Sequence, residues 1–447
     1  MTAFANVLDN IILHGREGRA LYNRIFVVSA YANVTNWLLE NKKTGEPGVY
    51  HHITQQQEFR AALQDVAAKL KELNRQYEPL GLDLAVADAF IQQRIDQAQT
   101  FLDSLVNVLA SGYVNSTNIL QAAREILASI GEAHSAFNSV NILQSRGLHA
   151  TLVDFSGFDD AQPLTIDERI RQAFADIDFA DTICVATGYT KGTEGIMREF
   201  DRGYSEVTFS KIAVAVRPQE AIIHKEYHLS SADPNLVGVA NCQPIGFTNY
   251  DVADQLADVG MEAIHPKASK PLEINAINLR IKNTFEPDHP GTLITRDYVS
   301  STKRIEVITG TDKVVIIDIH DPLMVGAAGF DLHLMQVFFD LGVSYIFKAT
   351  SANSITLLIW EKDLKPQLLD ALEAKYENVT VEPAALVCLI GSNLDKPGLL
   401  ARAAGALAEA GINIRSAGVA LRKVNLQFIV GREEYKTAII ALNRALG

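Results

Sequence analysis

The chain has 447 residues, enough for roughly two to four domains with sizeable cores. Hydrophobic residues make up 48% and charged residues 21%, an ordinary globular balance. The formal net charge of −13 excludes an extended nucleic-acid surface, which needs clustered Lys and Arg, but not a small basic pocket. Cys184, Cys242 and Cys388 lie far apart in apolar surroundings, with neither metal spacing nor a disulfide framework, so a reducing compartment is expected. No basic n-region followed by an apolar h-region opens the sequence, and no apolar run approaches bilayer length. A cytoplasmic protein with no membrane partner is the expectation.

In chain order, a helix is expected over Phe4 to Leu13 and a strand over Ile25 to Val28. The strand stops at Ser29-Ala30, passes a short polar loop and restarts as an apolar-periodic helix at Val34-Trp37-Leu38. A buried strand that delivers hydroxyls to a loop before a helix N-terminus suits an anion site, because the helix end offers free N–H groups and partial positive charge. Ligands of open α/β sheets sit just beyond the carboxyl ends of strands. Ser29 and Thr35 are therefore candidate substrate contacts; alternatively, Ser29 ends a strand and Thr35 or Asn33 caps a helix. Residues 41–52 read as a turn-rich insertion by their Gly and Pro, with His51 and His52 on its surface. Apolar positions at helical spacing predict helices over Thr54 to Leu73, 83–111 and 117–130. Strands follow at Ala150 to Asp154 and Asp181 to Ala186, and Glu220 to His224 could extend the same sheet. Strands alternating with long helices imply a layered α/β domain with a mainly parallel sheet.

The second informative cluster follows the 181–186 strand. Thr187-Gly188-Tyr189, then Gly192 and Gly195, lead into Arg198-Glu199-Phe200-Asp201-Arg202-Gly203-Tyr204-Ser205-Glu206. Glycines after a strand let backbone amides approach an anion closely. Arg202 can clamp a carboxylate through two parallel hydrogen bonds. Ser205 stands where it could cap a helix over Val207 to Val216, and Glu206 in the first turn suits the helix dipole or could hold a lysine or position an amine. Neither G-x-x-x-x-G-K-[ST] nor G-x-G-x-x-G occurs.

The composition changes near Glu286-Pro287-Asp288-His289-Pro290-Gly291. Two similar units follow. The first runs Lys313 to Ile319, Asp321-Pro322-Leu323-Met324, a helix, Gly342-Val343-Ser344, then Ser354 to Ile359. The second runs Ala385 to Ile390, Asp395-Lys396-Pro397-Gly398, a helix, Gly411-Ile412-Asn413, then Asn425 to Val430. The β-loop-α-β-β unit repeats at a spacing of about seventy residues. It resembles the ACT domain, whose loop after the first strand binds an amino-acid effector and which pairs sheet edge to sheet edge; a ligand-free pair of ferredoxin-like folds has the same pattern.

The order V-V-S-A…V-T-N, G-E, T-G-Y…R-G-Y-S-E, G-M-E-A-I-H-P and two ACT units resembles aspartate kinase over about residues 1–440. The resemblance implies an amino acid kinase three-layer α/β/α domain over 1–290, an ACT domain over 304–378 and another over 384–447. It implies phosphorylation of the β-carboxylate of L-aspartate by ATP with Mg²⁺, and a homodimer or larger homo-oligomer. Ser29, Thr35, Glu132, Arg202 and Ser205 fall on the family's substrate residues, with Arg202 and Glu206 the catalytic candidates. The nucleotide side falls at His224 to Asn235, where the family's W-T-D-V-D-G-I-x-T-T-D-P-R is reduced to Asp233-Pro234 and a hydroxyl pair. Lys225, Ser230, Ser231 and Asp233 are the candidates there, a solvated surface lysine being the plain reading of Lys225. No protein metal ligands are expected.

In the first ACT unit His320, Met324, Gly329 and Phe330 match the pattern of the lysine-sensing loop, and Ser344 joins them as an effector candidate. An acidic family residue falls at Ile346, which implies altered lysine inhibition; Met324 and Phe330 equally suit plain core. The family opens with K-x-G-G-T-S, whose lysine neutralises the transferring phosphate. Met1-Thr2-Ala3-Phe4 resembles the residues just after that motif, so the lysine is expected upstream, and the activity of the chain as given depends on it. The variant R-G-Y-S-E resembles a branch associated with ectoine. Two other readings stay open: an amino acid kinase for another carboxylate such as glutamate, and a non-catalytic amino-acid sensor.

Overall fold

The structure is a computed structural model that describes residues 4–42, 44–200, 203–261, 263–301, 305–395, 397–419 and 421–447. It divides into two compact units, Met1–Ala221 with Lys267–Ile277 and Thr284–His289, and Ile222–Pro266 with Asn278–Asn283 and Pro290–Gly447.

In the first unit, helix α1 (Phe4–Val7) continues as a π-helical turn over Leu8–Leu13 and buries Phe4, Leu8 and Ile12. Strand β1 (Arg24–Val28) leads to α2 (Val34–Leu38). The expected helix over 54–73 is two helices, α3 (Val49–Thr54) and α4 (Arg60–Arg75). The polar run Gln55-Gln56-Gln57-Glu58 interrupts it: Gln56 has φ +53, and the Glu58 carboxylate accepts from the Arg60 amide at 2.7 Å. His51 and His52 thus lie in α3 rather than in an irregular insertion.

Helices α5 (Leu84–Ser111) and α6 (Ser116–Ser145) are long partners capped by Asp83 and Asn115. α6 runs well past the expected end at 130, because Gly131 lies inside a continuous helix whose middle is buried from Leu127 to Ala136. Strand β2 (Ala150–Val153), α7 (Ile166–Phe174), strand β3 (Ile183–Thr187), α8 (Ile196–Phe200) and α9 (Tyr204–Val216) complete this part of the chain. The sheet is parallel, in the order β1-β3-β2, with Val28 paired to Thr187 and Val153 to Ala186. Fully buried β3 reads as a continuous apolar run, as the central strand of a covered parallel sheet must.

The run at 220–224 forms β4 (Ala221–Lys225), but it does not extend the β1-β3-β2 sheet. It is followed in chain order by α10 (Pro234–Val237), β5 (Phe247–Asn249), α11 (Tyr250–Asp258), α12 (Pro266–Ile274), β6 (Leu279–Asn283) and β7 (Thr292–Thr295). The order is β4-β6-β7-β5. An apolar run fixes a strand but not its partner, which is why the sheet could not be read from 220–224 alone.

The two repeats follow. The first is β8 (Val307–His320), α13 (Phe330–Asp340), β9 (Phe347–Thr350), β10 (Ser354–Trp360) and α14 (Pro366–Glu373). The second is β11 (Asn378–Ile390), α15 (Leu399–Glu409), β12 (Ser416–Val419), β13 (Asn425–Gly431) and α16 (Tyr435–Leu446). The six strands make one antiparallel sheet, β12-β13-β11-β8-β10-β9, in which β8 and β11 pair along their length and join the repeats. Each repeat keeps its own core, around Phe428 and Leu407 in one and Leu357 and Phe338 in the other. Among the described residues no helix is long and apolar enough to cross a membrane.

Candidate active site

Just beyond β1, Ser29 is exposed and its backbone carbonyl accepts a hydrogen bond from Ser135 Oγ of α6 at 2.9 Å. α6 approaches this loop closely because residue 131 is glycine. A Cβ there would stand 2.8 Å from Val34 Cγ1 and 2.9 Å from Ala30 Cβ, inside van der Waals contact. Tyr31 anchors the loop from below: it is 2% exposed, stacks on Tyr77 with centroids 4.8 Å apart, and meets the His134 ring edge-on. His134 shares Asn74 with Asn138 in a buried polar cluster, and burial lowers its pKa to about 3, so it is neutral. Asn33 takes the left-handed conformation, φ +67, immediately before α2, and Thr35 follows partly buried in the first turn.

The loop delivers the backbone to Glu132. This carboxylate is 2% exposed; Oε1 accepts from Ser205 Oγ at 2.6 Å, while Oε2 is buried with no hydrogen-bond partner among the described residues. Burial raises its pKa to about 8, although Ser205, Tyr204 and the amides of Ala30 and Tyr189 all favour the charged form. Ser205 reaches it because Gly188, at the end of β3, leaves room: a Cβ on residue 188 would meet Ser205 Cβ and Oγ at 2.8 Å and the Val28 carbonyl at 2.9 Å. Ser205 therefore does not cap α9, as its position suggested. Gly203 is the N-cap, with no side-chain bond, and the Ser205 hydroxyl is committed to an acid 73 positions away.

Two turns before Glu132 on the same helix, Glu125 is a different kind of acid. It accepts from Tyr189 OH at 2.9 Å and from the amides of Met197 at 2.7 Å and Arg198 at 3.3 Å. Neither Glu125 nor Ser135 was singled out in the sequence. The available signal was an acid and a hydroxyl at helical spacing around Glu132 in an otherwise small-residue, apolar stretch.

Glu132, a buried acid with one oxygen unpartnered among the described residues, lies beside exposed Ser29 near the carboxyl ends of β1 and β3, an arrangement chemically able to accept a cationic group. The amino acid kinase family model matches residues 2–283, and the ACT domain model matches 387–439. The chain is 47% identical over 452 residues to aspartate kinase Ask_Ect of Stutzerimonas stutzeri, spanning 100% of this chain and 95% of that protein. The chain belongs to the amino acid kinase family, in its aspartate kinase branch. It is also 27% identical to Aspartokinase 1, chloroplastic, of Arabidopsis thaliana over 94% of this chain and 74% of that protein. Its fold matches the aspartate kinase of Clostridium acetobutylicum with a TM-score of 0.72 at 19% identity, covering 95% of this chain and 93% of that one. It also matches E. coli aspartokinase III, solved with lysine and aspartate, with a TM-score of 0.70 at 21% identity, covering 98% and 94%.

Within this aspartate kinase fold the structure brings together the Ser29 loop, Glu132 and Ser205. Arg202 lies outside the described residues, and Glu206 lies half-buried in the first turn of α9. The four nucleotide candidates belong to the second unit. Lys225 ends β4. Ser230 Oγ donates to the His228 carbonyl at 3.2 Å, Ser231 Oγ accepts from the Gln243 amide at 3.1 Å, and Asp233 caps α10 through the Asn235 amide at 2.8 Å. Ser231 and Asp233 thus shape their own turn. Of the effector candidates, Met324 and Phe330 pack against the core of the first repeat, Gly329 (φ +85) precedes α13, and Ser344 is exposed after it. At Ile346 the backbone amide donates to the Leu358 carbonyl at 2.7 Å.

Proposed function

We propose that the chain transfers the γ-phosphoryl group of ATP to the β-carboxylate of L-aspartate, giving 4-phospho-L-aspartate for the aspartate-derived amino acids or ectoine. The observation that carries this reading is the open, buried oxygen of Glu132. An uncompensated carboxylate in a low-dielectric site is stabilised by an ammonium, and the α-ammonium of an amino acid supplies one. Ser205 orients the acid, and Ser29 and Thr35 present hydroxyls toward the substrate. Arg202 grips the α-carboxylate through two parallel hydrogen bonds of its planar guanidinium fork. The acceptor carboxylate and the phosphate are both anionic, so the work of the site is alignment and neutralisation of charge, with no covalent nucleophile.

The nucleotide belongs with Lys225, Ser230, Ser231 and Asp233, the latter two acting by holding the turn. Magnesium commonly keeps waters and is carried by substrate phosphates. In this reading the ion enters with ATP, carried on its phosphates. The tandem repeats support an amino-acid effector at Met324, Gly329, Phe330 and Ser344 and a homodimer or larger assembly. Exposed Leu332 and Phe339 on α13 are apolar surface suited to a second copy.

Calorimetric titration with L-aspartate and L-glutamate, with a hydroxylamine trap for the acyl phosphate, tests the reading. Aspartate should be preferred by roughly 10–200-fold, the usual discrimination for one methylene. Equal use of glutamate overturns the substrate assignment, and tight aspartate binding without hydroxamate formation favours the sensor.

A further inference from the structure

The first unit contains a second opening, of about 610 Å³, that none of Ser29, Glu132 or Ser205 lines. That volume is in the range of sites for small molecules. It lies beyond the carboxyl ends of β2 and β3, walled by α5 and α6. One wall is apolar: Phe101 and Phe158, with ring centroids 5.9 Å apart, stand with Leu105 and Ile126, and Phe101 remains 44% exposed. The other side is polar and contains an unanswered donor. Ser156 is 6% exposed, lines the opening, and its Oγ has no hydrogen-bond partner among the described residues.

The charges lining the opening favour an anion. Glu125 already accepts from three donors, so it does not call for a cationic ligand. Lys191 and Arg198 also line the opening; Lys191 is held by Asp160 at 2.9 Å and by the Gly157 carbonyl at 2.8 Å. A flat apolar body would cover the two phenyl rings while its anionic head accepts from the Ser156 hydroxyl and faces the cations.

Tyr189 belongs to both sites. Its hydroxyl donates to Glu125, its ring meets Tyr204 edge-on with centroids 6.0 Å apart, and its backbone amide favours the charged form of Glu132. Glu125 and Glu132 are two helical turns apart on one face of α6, about 10 Å.

We propose that this opening binds a small aromatic or alicyclic carboxylate, and that its occupancy is transmitted through Tyr189 to the Glu132 site. The second half rests on the assignment of Glu132 to the substrate. The test titrates the full chain with 3-phenylpropionate by calorimetry, with 3-phenylpropylamine as the cationic control. Saturable binding of the acid is expected, with the amine at least about 10-fold weaker and Ser156→Ala weakening the acid about 5-fold. Ala122→Trp and Leu105→Trp fill the opening from α6 and α5 and should abolish binding while a cooperative melt is retained. Saturating acid should change the aspartate dissociation constant by about threefold or more, and Tyr189→Phe should keep probe binding but remove that change. The proposal is overturned if neither filling variant weakens binding, if the amine binds as well as the acid, or if aspartate affinity ignores the probe. A wild-type chain that binds the probe but not aspartate refutes the function assigned to Glu132, while the filling variants still decide whether the opening is a site.

Discussion

Two buried glutamates, one in each compact unit, are satisfied in opposite ways. Glu306, 5% exposed, accepts at Oε1 from the Ser392 amide at 2.9 Å and from the Ser392 hydroxyl, and at Oε2 from Thr248 Oγ1 at 2.6 Å. Glu132, 2% exposed, accepts at Oε1 from Ser205 Oγ at 2.6 Å, while its Oε2 has no hydrogen-bond partner among the described residues. A buried charge that serves only the fold is saturated with donors, because each missing partner costs free energy. A buried acid with an unpartnered oxygen carries that cost, which a cationic ligand would offset under the function proposed above.

The sharpest way to break the contrast is Glu132→Gln against Glu306→Gln. Removing the charge opposite a substrate ammonium should raise the aspartate KM roughly 100-fold, the loss expected for one member of a buried charged pair. The same change relieves the burial penalty, so the variant should melt no lower than wild type at pH 9. Glu306→Gln should do the reverse. An amide keeps only one accepting oxygen for donors on both sides, so stability should fall by about 1–3 kcal/mol with aspartate affinity intact. If both variants lost affinity equally and stability equally, the distinction would be void.

Titration sharpens the same point. The Glu132 pKa of about 8 lies above the ordinary carboxylate range, so the folded state favours the neutral acid. While both folded and unfolded chains are protonated, below the ordinary range, the group costs no stability. The penalty grows as the unfolded carboxyl ionises and is complete once the pH passes the folded value. Binding of an ammonium needs the ionised form, so its dependence has the opposite sign. Between pH 7 and 9 the ionised fraction of a group titrating near 8 rises about tenfold, and aspartate affinity should rise with it. Protons should be released on binding near pH 7, detectable as a buffer-dependent heat. Glu132→Gln should flatten both.

Close approach is the next element of the receptor to challenge. Gly188→Ala places a methyl 2.8 Å from the Ser205 side chain and 2.9 Å from the Val28 carbonyl. The backbone atom cannot yield easily, so overpacking should cost about 1–3 kcal/mol of stability. Displacement of Ser205 should also weaken aspartate several-fold, read as a change in KM. A normal KM would show that Ser205 is not needed to orient the acid.

Much of the candidate site was legible in the residues. The β1 apolar run ending at Ser29 needed only strand length and a polar restart at α2. The repeats declared themselves because each apolar strand, Asp-containing loop and helix recurs in one order. Other parts depended on contacts distant in sequence. Ser205 offered two local outcomes, cap or free hydroxyl, and Glu132 decided between them across 73 positions. The 220–224 run announced a strand, but its membership of the β4-β6-β7-β5 sheet depends on chain that follows much later. The break at 55–59 was hidden because Phe59 keeps the helical apolar spacing and is buried, 2% exposed, while preceding α4 as its N-cap. Glu125 and Ser135 carried no motif; their roles lie in donors and acceptors supplied by other segments.

Ser135 supplies the smallest and most discriminating test. Its hydroxyl is fully buried and donates to the Ser29 carbonyl at 2.9 Å, with the Glu132 carbonyl 3.1 Å away as a local alternative. Ser135→Ala leaves room for no new contact and removes only the tie between α6 and the loop. The net loss should be about 0.5–1.5 kcal/mol in stability. If the tie positions Ser29, aspartate affinity should fall by about two- to fivefold, within the same energy range, while the pH midpoint set by Glu132 stays in place. Ser135→Thr, which keeps the hydroxyl but adds a methyl to a packed helix face, should hold affinity better than it holds stability. A loss of affinity in the threonine variant as large as in the alanine variant would mean that packing, not the hydrogen bond, sets the position of the Ser29 loop.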